Sequence, residues 1–529
     1  MGAEKEVISR TVSRTPTPAR SFLNACVIVL TVTSSMIINS ANSTSMAIAI
    51  PTLEKEWQLD PTQLQWIISA YPLSSGCLFL VCGRLADVYG RKKTFCVGSV
   101  FLASVTLACG FSPNVMTLDI LRGIQGIGAA AMIPASLGIL AHSFPPSRAR
   151  SIAFATFAAG APVGAIFGTA VGGVLVEYTA KTWRSSFYLL SALTLLCFIG
   201  GLISIDQDIP SEELDKRIDW IGAFLVTAGL VLVVFVLSQG ELAPQKWGTP
   251  YIIVLLILGI CLIGVFLYWQ HYLETIQADV DSPYSIWTPP PLMKFSIWTR
   301  ANGRFGAMMA IAFTNWCAFL AWTFWVQLYY QNYMQYNPMQ TVIRLFPMFV
   351  SGVACNFFVG LMASRVPVVY LVVVGTLATS VACLLFAVIN PAITYWAFGF
   401  TATVLSVMGA DFVFSAGTLF IARVALPHEQ SVAGALFNTM TQLGTAVGVT
   451  VTTVVYNNVG SRLAPGEDVL AMYRAAQWTA FAFGILATVI GVICFRGVGV
   501  VGFREPKTSS STMEQGSPVV TDEKRQKNA

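Results

Sequence analysis

The feature that most constrains this chain is where its charges are missing. Fourteen stretches are almost free of charge, near residues 24–50, 64–84, 94–111, 115–141, 150–176, 186–206, 219–239, 250–271, 305–330, 341–363, 366–389, 394–422, 432–457 and 475–496. Each is close to the roughly 20 apolar residues with which a helix crosses hydrocarbon. In lipid a backbone must satisfy its own polar groups, and a helix does so within one segment. Only 11% of the residues are charged, against about a quarter in soluble domains, so a soluble fold could not cover its surface. The expected fold is an all-α polytopic membrane protein with fourteen spans.

Lysine and arginine fix its orientation. With a cytosolic N-terminus, 23 of the 31 fall on the inner side and 7 on the outer, leaving Arg122 within a span. Only an even count puts both basic tails on one side, so both termini are expected in the cytosol. The long Pro-rich segment after span 8 sets that span and span 7 apart, with six spans on either side. The expected organisation is a cytosolic tail (1–22), a six-helix bundle (23–206), a linker carrying two extra central spans (207–271), a cytosolic linker (272–304), a second six-helix bundle (305–497) and a polar cytosolic tail (498–529). Two bundles of equal size are the layout of transporters built from repeats.

Other classes fare poorly. The net charge of +5 is small for 529 residues and argues against a nucleic-acid partner. Three histidines argue against a metal site, and the eleven cysteines are scattered through apolar runs as small hydrophobes. No His/Cys/carboxylate constellation recurs at membrane depth, so neither a cofactor nor an enzyme is expected. The sequon at Asn42–Thr44 lies inside a span and is dismissed.

The loop after span 2 reads Gly83-Arg-Leu-Ala-Asp87-Val-Tyr-Gly90-Arg91-Lys92. Gly83 lets helix ends approach closely, and Gly90 allows a turn with positive φ. Asp87 can meet a cation or a helix N-terminus across an interface. A contact of that kind can form in one global state and break in another, as a gate requires. These residues resemble the signature loop between spans 2 and 3 of major facilitator transporters. The resemblance implies two six-helix bundles rocking about a central cavity, and a gate built on Gly83, Asp87, Gly90, Arg91 and Lys92. A fainter echo, Gly360-x-x-x-Ser364-Arg365, follows the second span of the second half.

Span 4 carries Leu121-Arg122-Gly-Ile-Gln125, which resembles the family's span-4 motif. An Arg at membrane depth costs several kcal/mol unless it meets a polar cavity or partner. The resemblance implies that Arg122 handles protons or substrate charge, with Asp119, one turn earlier, as its expected partner. In span 5, Gly160-Ala-Pro162-Val-Gly164, Gly168, Gly172 and Gly173 resemble the motif of drug:proton exchangers, although Thr169 stands where that pattern has Pro. The small residues give a smooth face on which another helix can slide. Trp183-Arg184-x-x-Phe187 matches the family's WRxxF segment, expected to anchor at the membrane interface.

Span 1 has Asn42 where members of the 14-span drug:proton antiporter family, which the chain resembles, often carry Asp. Asn42 cannot titrate, so Asp411 in span 12 becomes the central carboxylate, assigned to proton coupling or substrate together with Asp119, Arg122 and Gln125. The cavity is expected to be lined by Asn39 and Asn42, by Trp66 and Tyr71 of span 2, by Asn315 and Trp316 of span 9, and by Asn438 and Gln442 of span 13. Tyr329, Tyr330 and Gln331, at the outer end of span 9, read as an interfacial belt.

The family resemblance extends over about residues 24–497, nearest to the fungal multidrug and secondary-metabolite exporters. It implies a monomeric transporter that moves small organic molecules outward in exchange for protons. The plasma membrane is the expected location, with the vacuolar membrane as the alternative. Uptake of a nutrient or ammonium-like ion is the alternative direction, and a membrane sensor that binds solute without moving it is the rival from another class.

Overall fold

A computed structural model describes residues 22–497 apart from 59–60, 146, 209–215, 279–287, 364 and 463–468. Both tails and Ser364 of the echo loop lie outside the described residues. The first bundle contains α1 (Phe22–Trp57), α2 (Pro61–Tyr89), α3 (Arg91–Cys109), α4 (Val115–Ser143), α5 (Arg148–Tyr178) and α6 (Arg184–Ser204). The extra pair is α7 (Trp220–Gln239) and α8 (Pro250–Ala278). The second bundle contains α9 (Arg304–Leu328), α10 (Pro338–Met362), α11 (Val368–Ala387), α12 (Thr401–Val424), α13 (Gln430–Gly460) and α14 (Leu470–Cys494). Among the described residues, 13 helices are long and apolar enough to cross a membrane.

The helix outside that set is α13, where sequence reading expects a span at 432–457. At 31 residues it is long enough, since each residue adds about 1.5 Å. Its Asn, Thr and Gln side chains lower its hydropathy. Many of them are buried, including Asn438, Thr439, Thr441 and Thr452, because α13 packs against α2, α4, α9 and α14.

The packing repeats itself. In the first bundle α1 lies on α5 and α6, α2 on α4, and α3 on α4 and α6; α9–α14 reproduce every one of these pairings in the same order. The bundles meet along two seams, α2 with α13 and α5 with α10, which exchange under the same correspondence. The extra pair is joined by close approach of Gly229 and Gly259, and α7 lies against both α2 and α13.

Two expectations are corrected by packing. Trp183 is fully buried and donates Nε1 to Glu56 Oε2 at 2.7 Å, so it pins the end of α1 to α6 instead of anchoring in headgroups. Tyr329 and Tyr330 are also buried, in an aromatic cluster with Phe386, where α9 loosens into a π-helical turn. The small face of α5 packs within its own bundle: a Cβ at Gly164 would meet Ile37, one at Gly168 would meet Ala41 and Thr44, and one at Gly172 would meet Ser45. These partners lie on α1, and a Cβ at Gly173 would meet Ile48 of α1 at 3.6 Å.

Candidate transport gate and polar core

The Lys and Arg distribution assigns one end of the bundles to the cytosol, and there the loop Gly83–Lys93 meets α13 at the α2–α13 seam. Asp87, whose side chain is wholly buried, accepts backbone hydrogen bonds from Ser431 (3.2 Å) and Val432 (2.9 Å) in the first turn of α13. Those N–H groups have no partner within their own helix and carry the positive end of its dipole. Arg91 is tied to Asp87 Oδ1 at 3.0 Å and donates to the Pro427 carbonyl in the turn before α13. Gly83 makes this approach sterically feasible, because a Cβ there would stand 2.7 Å from the Ala435 Cβ. Gly360 meets Ala155 across the α5–α10 seam in the same manner.

Gly90 has two reasons to be glycine. Its φ is +117°, and a Cβ would lie 2.2 Å from Asp208 Oδ2. Asp208 caps the start of α3 by accepting the Lys92 and Lys93 backbone N–H groups at 2.8 and 3.0 Å. The Lys92 ammonium turns back to the Leu202 and Ile205 carbonyls at the end of α6.

Two further charged groups, Arg150 and Glu429, sit at this end, and no motif marked Arg150. Arg150, buried at the start of α5, donates Nη2 to the Ala422 carbonyl at 2.7 Å. The first bundle thus presents an acid to the N-terminus of α13 and a base to the C-terminus of α12, each matching the local helix dipole. Glu429, in the turn between those helices, pairs with Arg300 at 2.5 Å and Lys294 at 3.5 Å. Burial opposes its charge, but bonds from His428 and Arg300 and the charges of Arg300 and Lys294 prevail and lower its pKa to about 2.

Deeper in the first bundle, Arg122 is fully buried. It donates Nε to the Ile67 carbonyl at 3.1 Å and Nη1 to Gln125 at 2.8 Å, and lies 4.8 Å from the Tyr71 ring centroid. Gln125 donates onward to Asn42 and Thr106, and the Tyr71 hydroxyl donates to Asn39. Asn39, Asn42, Tyr71, Arg122 and Gln125 therefore form one network. The expected Asp119–Arg122 ion pair is absent among the described contacts. The Ile67 carbonyl and the Gln125 amide take Nε and Nη1, while Arg122 Nη2 and Asp119 Oδ1 are both left without a hydrogen bond.

The remaining cavity candidates do not converge on one pocket. Trp66 stacks on Phe235 of α7 at 5.5 Å. Asn315 reaches back to the Gly409 carbonyl of α12, and Trp316 packs against Phe414. Asn438 bonds its own helix at Gly434, whereas a Cβ on Gly76 of α2 would meet Gln442 at 3.0 Å, so Gln442 lies on the seam.

Asp411 is buried in α12, and its Oδ2 has no hydrogen-bond partner. A Cβ at Gly352 of α10 would lie 2.7 Å from that oxygen and 3.0 Å from the Pro162 Cβ of α5. One glycine therefore separates the carboxylate from the opposite bundle. Asn356, one turn after Gly352, accepts from Ser415, one turn after Asp411.

Comparison with known proteins decides the family, since the profile of the Major Facilitator Superfamily matches residues 32–449. The chain belongs to the major facilitator superfamily. It is accordingly a multi-pass membrane transporter, not an enzyme. It is 27% identical to MFS-type transporter 1 of Pyricularia oryzae, over 91% of this chain and 85% of that one. It is 28% identical to efflux pump terJ of Aspergillus terreus, over 81% and 80%. It is 27% identical to the low affinity ammonium transporter of Saccharomyces cerevisiae, over 79% and 78%. The fold is that of the human organic anion transporter MFSD10, with a TM-score of 0.63 and 13% identity across 88% of this chain and 99% of that one.

Proposed function

We propose that this transporter exports small organic compounds in exchange for protons, by alternating access between the bundles 23–206 and 305–497. The observation that carries the reading is Asp411, whose free oxygen faces Gly352 at the seam where Pro162 of the other bundle also packs. A buried carboxylate is expensive when charged, so its proton state and the packing of that seam depend on one another. Asp87 and Arg91 hold the cytosolic side shut, with Gly83, Gly90 and Lys92 shaping the loop. The network around Arg122 is where a substrate's charge would be read, and the plasma membrane is the proposed location of a monomer. The resemblance to a fungal efflux pump supports the outward direction.

A second reading, uptake of an ammonium-like ion, is favoured by the yeast relative's description. Reconstitution in proteoliposomes under an imposed pH gradient separates the two, with organic cations, weak acids and ammonium as probes. Export predicts gradient-driven movement of an organic probe that Asp411→Asn abolishes. Normal coupled transport by Asp411→Asn from acidic to mildly alkaline pH would remove Asp411 from the coupling role. Accumulation of ammonium with no movement of organic probes would establish the second reading.

A further inference from the structure

The extra pair α7–α8 touches both bundles, so its membership during rocking is a mechanical question. Its contacts differ in kind on the two sides. Toward α2 it presents an apolar stack, Phe235 on Trp66. Toward α13 it presents directional polar contacts near its outer end: Thr450 donates to the Leu237 carbonyl at 2.8 Å, and Asn457 donates to Glu241 Oε2 at 2.6 Å. Glu241 is held in turn by Trp247 Nε1 at 2.7 Å.

The opposite end of the pair leads back to α13 as well. Asp219 caps α7 through Gly222 and accepts from Gln270 of α8 at 2.6 Å. Gln270 accepts the Met293 backbone N–H at 3.1 Å, and Glu274 accepts that of Phe295. The same segment supplies Lys294 and Arg300, which pair with Glu429 immediately before α13. Apolar burial is non-directional and lets surfaces slide, whereas hydrogen bonds to charged groups are short and geometrically specific.

We propose that α7 and α8 travel with the second bundle, gripped at both ends of α13, with Glu241 as the positioning residue on the outer side. The sliding surface of that half of the molecule is then α2 against α7, so the pair screens the outer α2–α13 seam from lipid while the bundles move. The inference rests on the alternating-access reading.

Spin labels at the exposed positions Ile68 on α2, Leu242 after α7 and Asn458 on α13 report on it directly. They would be placed pairwise in the full chain in lipid nanodiscs, in a background without the exposed Cys26 and Cys261. Asp87→Ala with Arg150→Ala releases the cytosolic side, and the distance from Ile68 to Asn458 serves as the control for rocking. The expected result is a shift in that distance and in Ile68 to Leu242, with Leu242 to Asn458 unchanged. A shift in Leu242 to Asn458 with Ile68 to Leu242 constant overturns the proposal, as does an equal shift in both. A control distance that stays fixed removes the alternating-access reading and the proposal with it. On the wild-type gate, Glu241→Ala should broaden the Leu242–Asn458 distribution, and Glu241→Gln should broaden it less, because its one amide oxygen can accept from Asn457 although Trp247 then loses its acceptor. An unbroadened Glu241→Ala distribution overturns the role given to Glu241.

Discussion

Asp87 Oδ2 accepts the Val432 backbone N–H at 2.9 Å, so a carboxylate of the first bundle caps a helix of the second. Capping and dipole contacts of this kind contribute about 1–2 kcal/mol. Asp87→Ala should therefore raise the population open to the cytosol by about tenfold, since 1.36 kcal/mol is one decade. The labelling rate of Leu137→Cys, placed where α4 meets Gly434 of α13, by an impermeant maleimide checks this from the cytosolic side. An unchanged rate would rule out a gating role for Asp87.

Arg150 grips the other arm of the same hairpin through the Ala422 carbonyl. Arg150→Ala should raise labelling at Leu137→Cys by a factor similar to Asp87→Ala. Arg150→Lys should restore much of the closure, because an ammonium also donates to a carbonyl. The two contacts lie on different helices and share no partner, so the double variant should be close to additive. A double variant no more open than either single one would show that they act as one latch.

What the sequence could disclose follows from where each partner lies in the chain. Asp87 and Arg91 stand out because a local motif surrounds them, but the atoms that Asp87 meets are backbone N–H groups 344 and 345 residues away. Any residue type carries such a group, so no pattern marks it. Arg150 likewise meets a carbonyl and reads in sequence as one more cytosolic positive charge. The three-residue spacing of Asp119 and Arg122 makes a pair geometrically available. In the structure the guanidinium bonds the Ile67 carbonyl of a different helix through Nε, and its unpartnered Nη2 does not reach Asp119. Tyr329 and Tyr330 have the composition of an interfacial belt, and only the position of α11, which brings Phe386 to them, decides that they are core. Span positions were legible because hydropathy is a property of each segment alone. Membership of a cavity depends on rotation about each helix axis, which is why Trp66 faces α7 rather than the network around Arg122.

Gly90 should tolerate no side chain while Asp208 remains in place. Gly90→Ala carries the cost of a sparsely populated backbone conformation, about 1–3 kcal/mol, and a clash with the Asp208 carboxylate. Asp208→Ala loses the cap on α3 but vacates the space. The destabilisation caused by Gly90→Ala, read as the midpoint of thermal unfolding in detergent, should therefore be smaller in an Asp208→Ala background than in wild type. Equal losses in both backgrounds would mean that φ alone determines the requirement for glycine.

Glu429 provides the pH test. Its pKa falls from an ordinary 4.5 to about 2 because Arg300, Lys294 and His428 favour the carboxylate more strongly than burial opposes it. A group with a depressed folded-state pKa stabilises the fold above its unfolded value and loses that contribution as pH falls through the folded value. Glu429→Gln should accordingly lower the unfolding midpoint by a constant amount from neutral pH down to about 4.5, and the gap to wild type should narrow only below that. The narrowing should disappear in an Arg300→Ala, Lys294→Ala background, where the carboxylate keeps only its His428 contact. A gap that closes between pH 7 and pH 5 would point to a different titrating group and would remove the Arg300–Glu429 pair as the tie between the cytosolic linker and α13.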